Sequence, residues 1–131
     1  MEYLVDTSAL YPLILNLREK FLLYADRMAV LDLTLYEVGN VLWKEYIRGK
    51  IKNLESIATL FQETLAPLRK LTVNDLGEVL RMAVEKNLTF YDAAYVYTAE
   101  KLNIRLVTED AKILEKSENA INVEEFLKDT G

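Results

Sequence analysis

Met1-Glu-Tyr-Leu-Val-Asp-Thr-Ser-Ala-Leu10 opens the chain. Glu2 to Asp6 reads as a first strand, with Tyr3, Leu4 and Val5 as its apolar part. It breaks off in Asp6-Thr7-Ser8, and the sequence turns apolar again at Ala9. A strand that delivers a carboxylate to its own C-terminal end and gives way at once to a helix start suits a parallel α/β sheet. In such sheets ligand sites lie beyond the carboxyl ends of the strands. Asp6 is therefore the first candidate for chemistry. Thr7 or Ser8 is expected to cap the helix that follows, with Pro12 in its first turn.

The rest of the chain repeats this alternation. Further strands are expected at Met28–Leu31, within residues 68–73, at 104–107 and at 121–123. Helices are expected over 17–25, Thr34–Arg48, Leu54–Leu65, from Asn74 or Asp75 to about Lys86, and over Thr89–Leu102. A short helix follows Thr108-Glu-Asp110, and a last helical turn covers Val123–Lys128. Gly49 and Pro67 read as helix stops. Short apolar strands between amphipathic helices imply an α/β fold: a three-layer α/β/α sandwich around a central, mainly parallel sheet of four to five short strands.

With 131 residues, no internal repeat and no linker, the expectation is one domain spanning 1–131. Apolar residues make up 51% and charged residues 28%, a globular balance. Cysteine and histidine are both absent, which excludes disulfides, thiolate or imidazole metal ligands, and Ser-His or Cys-His catalysis. Any chemistry falls to carboxylates, lysines, tyrosines or a metal. The N-terminus has no basic region ahead of an apolar run, and no stretch is long enough to span a bilayer, so a cytoplasmic location is expected. A net charge of −5 argues against a broad nucleic-acid surface, though not against a metal-bridged substrate.

Four of the 21 acidic residues stand out by position. Asp6 follows a strand, Glu37 and Asp92 each lie one turn into a helix, and Asp110 follows the strand at 104–107. In a parallel sheet these places share one edge. Carboxylates gathered there repel one another unless a divalent cation joins them, and oxygen-only ligands favour Mg²⁺ or Mn²⁺. Such a site suits phosphodiester hydrolysis.

VDTSAL with Asp6, LTLYEVGNVL with Glu37 and Asn40, LTFYDAAYVYTAEKLN with Asp92, and LVTEDAKI with Thr108 and Asp110 together resemble a PIN domain, more narrowly a VapC-type toxin ribonuclease. The resemblance runs from the first strand to the last. It implies that Asp6, Glu37, Asp92 and Asp110 form an acidic metal site supported by Ser8, Asn40 and Thr108. It also implies Mg²⁺- or Mn²⁺-dependent endonucleolytic cleavage of RNA, a small antitoxin as partner, and a homodimer, with contact surfaces expected around Leu10–Leu23 and Val38–Trp43. Asp32 departs from the family pattern, which often has a small residue there, and Glu109 competes with Asp110 for the last acid position.

Plainer explanations exist for several of these residues. Thr34…Glu37 and Thr89…Asp92 both fit a capping box, in which the acid only satisfies backbone N–H groups. Ser8 and Thr108 could be ordinary caps, the tyrosines and Trp43 packing residues, and Lys44, Arg48, Lys50 and Lys52 a solvated helix end. A haloacid-dehalogenase-type phosphotransferase also follows its first strand with Asp, but it needs a second Asp where this chain has Ser8. A free-standing nuclease of RNA processing or decay and a catalytically silent binding module remain as alternatives.

Overall fold

The Tyr3–Val5 strand (β1) is buried along its whole length, as the central strand of a covered parallel sheet is. In this computed structural model, which describes residues 1–131, β1 pairs in parallel with Met28–Leu31 (β2) on one side and Arg105–Val107 (β4) on the other. Arg69–Leu71 (β3) extends the sheet beyond β2, and Ala120–Ile121 (β5) extends it beyond β4, both in parallel. The order is β3-β2-β1-β4-β5. The chain builds outward from β1 to β3 and then returns to the other side of β1 to place β4. That reversal opens a crevice at the carboxyl ends of β1 and β4, where ligands bind in sheets of this kind.

Alternation along the strands divides the core. Tyr3, Val5, Met28, Val30, Val107 and Ile121 face one side. Leu4, Ala29, Leu31 and Leu106 face the other. The first face is covered by Thr7–Leu17 (α1), Thr34–Ile47 (α2), Leu54–Leu65 (α3) and Val123–Thr130 (α7), which contribute Leu10, Leu13, Ile14, Val38, Phe61 and Phe126. The second is covered by Leu76–Lys86 (α4), Phe90–Leu102 (α5) and Ala111–Lys116 (α6), through Val79, Val96, Ala99 and Ile113. The three expected layers and all five strands are present. No helix is long and apolar enough to cross a membrane.

Three local expectations are corrected. Asp6 itself, not Thr7 or Ser8, caps α1, accepting the Ala9 N–H at 3.1 Å. The helix therefore starts earlier, and Pro12 falls in its second turn rather than its first. Residues 18–27 form a 3-10 helix rather than an amphipathic α-helix. The segment from Leu10 to Leu23 does not offer an open contact face: Leu10, Leu13, Ile14 and Phe21 lie in the core, and only Leu22 and Leu23 of its large apolar residues are exposed.

The α7 helix locks the first face from the end of the chain. Phe126 is fully buried, edge-on to Tyr3 at 4.9 Å between ring centroids and to Tyr24 at 5.8 Å. Truncating it leaves a ring-sized void under the central strand. Phe126→Ala is expected to lower the unfolding free energy by about 3–5 kcal/mol, read from the urea midpoint. A loss below about 1 kcal/mol would show that α7 does not share the core.

Candidate metal centre

Register brings the first two site residues together. Val5 pairs with Val107 across β1 and β4, so Asp6 and Thr108 leave the sheet side by side. The Thr108 hydroxyl donates to Asp6 Oδ2 at 2.5 Å, and the Ser8 hydroxyl and Ala9 N–H donate to Oδ1 at 2.7 and 3.1 Å. Both hydroxyl protons are thereby used on Asp6, so the 3.2 Å approach of Ser8 Oγ to Thr108 Oγ1 is not a further hydrogen bond. The two hydroxyls instead accept backbone N–H groups of the next loop, Glu109 to Ser8 at 2.9 Å and Asp110 to Thr108 at 3.0 Å.

Glu37 stands in the first turn of α2, but not as half of a capping box. The helix has no side-chain cap, and Thr34 turns inward to Tyr95 Oη at 2.7 Å. Glu37 Oε1 accepts the Thr7 hydroxyl at 2.9 Å and the Tyr95 phenol at 2.7 Å. Thr89 does cap α5, accepting the Asp92 N–H at 3.1 Å, but no return bond from the Asp92 carboxylate closes a box. Asp110 caps α6, its Oδ1 accepting the N–H groups of Lys112 and Ile113 at 2.9 and 3.0 Å.

A common pattern emerges from these bonds. Asp6, Glu37 and Asp110 each have one oxygen occupied by two protein donors. The second oxygen accepts nothing from the protein in Glu37 and Asp110, and one hydroxyl in Asp6. Glu37 and Asp110 are each held by one oxygen, Asp6 by both, and every second oxygen keeps coordination capacity. All four acids also stand at the N-cap or in the first turn of a helix, α1, α2, α5 and α6. The partial positive charge of those ends offsets the repulsion among them.

The offset is incomplete. Burial pushes the Asp6 carboxyl up to about 6, against the pull of the Thr108 and Ser8 hydroxyls and the Ala9 N–H, with Asp110 adding repulsion. Asp92 is likewise raised, first by burial, then by Asp110, and also by Glu37, while Thr89 and Lys112 oppose. Burial and the Glu37 carboxylate hold the Tyr95 phenol far above its ordinary range, despite opposing bonds from Thr34 and Thr7. The acids therefore share one electrostatic neighbourhood. Even so, no three of them approach closely enough to form a finished ligand cage. An all-oxygen donor set with unused oxygens and net negative charge fits a hard divalent cation.

Asn40 does not join the hydrogen-bonded cluster. It is exposed one turn beyond Glu37 and lines, with Leu33, Tyr36, Glu37 and Tyr91, a cavity of about 400 Å³ beside it. Tyr36 and Tyr91 are 80% and 62% exposed, and Trp43 is 58% exposed, so these rings are not packing residues. Asp32 is exposed just beyond the carboxyl end of β2 and its side chain bonds to none of the four acids, and Glu109 meets the site only through its backbone N–H. Arg48 and Lys50 pair with Glu45 at the far end of α2, and Arg48 lies about 16 Å along the helix from Glu37. That basic cluster is a solvated helix end. The sequence offered Thr7 and Thr34 only as caps and Tyr95 only as packing, so their bonds beside Glu37 were not foreseen. The available signal was polarity at inward positions: Tyr95 lies one turn beyond Asp92, on the same face of α5.

The PIN domain profile matches residues 3–119 of the chain. Over 127 residues the chain is 43% identical to Exonuclease VapC9 of Pyrobaculum aerophilum, covering 97% of this chain and 94% of that one. It is 34% identical over 125 residues to Ribonuclease VapC3 of the same organism, covering 88% and 95%. The crystal structure of PAE2754 from Pyrobaculum aerophilum shares the fold at a TM-score of 0.89 and 43% identity, over 98% of this chain and 88% of that one. The chain belongs to the PIN domain family, whose nucleases use divalent metal ions, and within it is a VapC-type nuclease that hydrolyses phosphodiester bonds.

Proposed function

We propose that this nuclease cuts RNA internally, with Asp6, Glu37, Asp92 and Asp110 holding Mg²⁺ or Mn²⁺ at the carboxyl edge of the sheet. The observation that carries this assignment is the spare capacity of the carboxylates: Glu37 and Asp110 are each anchored through one oxygen with the other free, and Asp6, anchored through both, keeps room for one more partner on Oδ2. When bound there, a divalent ion polarises the scissile phosphate and brings a water proton within reach of neutral pH. The protein's part is to hold the acids ready. Thr108 and Ser8 fix Asp6, backbone N–H groups of α6 fix Asp110, and the surrounding helix N-termini reduce the cost of keeping four acids near one another.

The cavity beside Glu37 supports a nucleic-acid substrate. Tyr36 and Tyr91 offer exposed rings to its rim, and stacking of a base on such a ring is worth about 1–3 kcal/mol. We assign Asn40 to the substrate rather than to the metal, since it is exposed and bonds to none of the acids. The VapC-type kinship supports a role as the toxin of a pair, restrained by a small antitoxin in the cytoplasm. Tyr36, Trp43 and Ile47 form an exposed stripe along α2 that suits an amphipathic partner helix. For a homodimer the available face is α4, where Leu76, Leu80 and Val84 are exposed at four-residue intervals.

Kinship with an exonuclease of Pyrobaculum aerophilum favours a second mode of attack. Circular RNA has no ends and separates the two. Linearisation of the circle with Mn²⁺ is the expected result. Degradation of linear RNA alone would make the enzyme an exonuclease, and activity on neither, with Mn²⁺ and RNA still bound, would make it a silent binding module.

Asp6→Asn, Asp92→Asn and Asp110→Asn are expected to keep the far-ultraviolet spectrum and to slow cleavage by roughly 100-fold or more, beyond what loss of an outer partner costs. Parent-like cutting by any of them removes that residue from the set. Without metal the same acids burden the fold. The folded-state value of Asp6, about 6, lies above its ordinary 3.8, so the folded state binds the proton more tightly than the unfolded chain. The contribution of Asp6 to metal-free stability is then largest at low pH and falls as pH rises through roughly 4–6, by about 2–3 kcal/mol at 1.4 kcal/mol per unit. In EDTA above about pH 7, Asp6→Asn is expected to raise the melting temperature and to flatten this slope. An unchanged pH profile in thermal melts would show that Asp6 ionises without penalty.

A further inference from the structure

We infer that Tyr95 is a positioning residue of the metal centre: its buried phenol, together with the Thr7 hydroxyl, fills one oxygen of Glu37 so that Glu37 presents only the other. The inference rests on the assignment of Glu37 as a metal ligand.

Proton counting gives the arrangement its direction. Tyr95 has a single hydroxyl proton and donates it to Glu37 Oε1 at 2.7 Å. In the 2.7 Å contact between Thr34 Oγ1 and Tyr95 Oη, Thr34 is therefore the donor. The bonds form a directed chain, Thr34 to Tyr95 to Glu37, met from the other side by Thr7 at 2.9 Å. A carboxylate oxygen has two in-plane lone pairs, and both on Oε1 are taken. Glu37 is thus left to act as a one-oxygen ligand in a plane set by two donors from different helices.

Those helices are the ones that matter. Thr7 follows Asp6 at the start of α1, and Tyr95 follows Asp92 by one turn on α5. Glu37 on α2 is thereby tied to the elements carrying two of its fellow acids, and the spacing among the three is held by hydrogen bonds rather than by the side-chain rotors of Glu37. Packing alone does not require this. Tyr95 is 2% exposed and Thr34 fully buried, and a phenylalanine would fill the same space without burying a hydroxyl.

The test is titration of Mn²⁺ into the nucleic-acid-free protein, by calorimetry or by the electron paramagnetic resonance of the ion, alongside melting in EDTA. Tyr95→Phe and Thr7→Val are each expected to weaken Mn²⁺ binding by about 10-fold or more, the range for partners that orient a ligand. In a Glu37→Gln background, Tyr95→Phe should bring no further loss of Mn²⁺ affinity, because the group it acts through has gone. Thr7 is only half-buried, so Thr7→Val queries the same oxygen even where Tyr95→Phe fails to fold. A lowered melting temperature with parent-like Mn²⁺ affinity in both variants would overturn the inference and leave Tyr95 a core residue. Equal Mn²⁺ binding by the parent and Glu37→Gln would overturn instead the ligand assignment beneath it.

Discussion

A carboxylate buried at the join of two parallel strands is the constraint on which the rest of this structure turns. Asp6 is 5% exposed at the carboxyl end of β1, and its neighbour across the β1–β4 pairing is Thr108. An acid in that position is tolerable only while its oxygens accept hydrogen bonds. The donors come from Thr108, Ser8 and the first turn of α1, so the strand pairing, the helix start and the β4–α6 loop are fixed by a single group. Ser8 and Thr108 in turn accept the N–H groups of Glu109 and Asp110, which places the last acid.

The same economy extends across the edge of the sheet. Three consecutive residues at the start of α1 engage different parts of the site: Asp6 joins Thr108, Thr7 joins Glu37, and Ser8 joins the backbone at Glu109. Tyr95 closes the circuit from α5. Four helices direct their N-termini toward the acids, and this opposes the burial and the weaker mutual repulsion that nonetheless lift Asp6 and Asp92 above their ordinary values. Acids kept buried near one another without a cation carry a stability cost, and under the metal assignment proposed above the binding energy of the ion would offset it. Stability and function are therefore opposed at these positions and aligned in the core beneath them.

Local signals carried well where short-range physics decides. The apolar runs at 3–5, 28–31 and 104–107 became strands because continuous burial leaves parallel strands little other composition. Gly49 ends a helix at φ +79, and Asp75 and Thr89 cap helices as their side chains favour. The Thr34…Glu37 capping box failed for a tertiary reason. Thr34 and Glu37 have the right spacing, yet Tyr95 arrives from another helix and takes both side chains for its own bonds. The apolar surface expected over 10–23 is narrowed to Leu22 and Leu23, because α1 lies against the sheet and its apolar face is spent there.

The sequence alone determined that this is a parallel α/β chain without histidine or cysteine, with acids at positions 6, 37, 92 and 110 in the order of a PIN domain. The fold class and the missing residue types are properties of composition and periodicity, and the order of the acids is a resemblance in motifs, all of which a linear chain carries in full. Only the tertiary structure decided what each acid's two oxygens do, that Thr7 and Tyr95 belong beside Glu37, and that Asn40 stands apart among exposed rings. Those outcomes depend on which strands pair and in what register, and hydrogen bonds between residues 30 to 102 positions apart leave no local mark in the sequence. The opening strand names its carboxylate, and the register of β1 against β4 gives that carboxylate its neighbours.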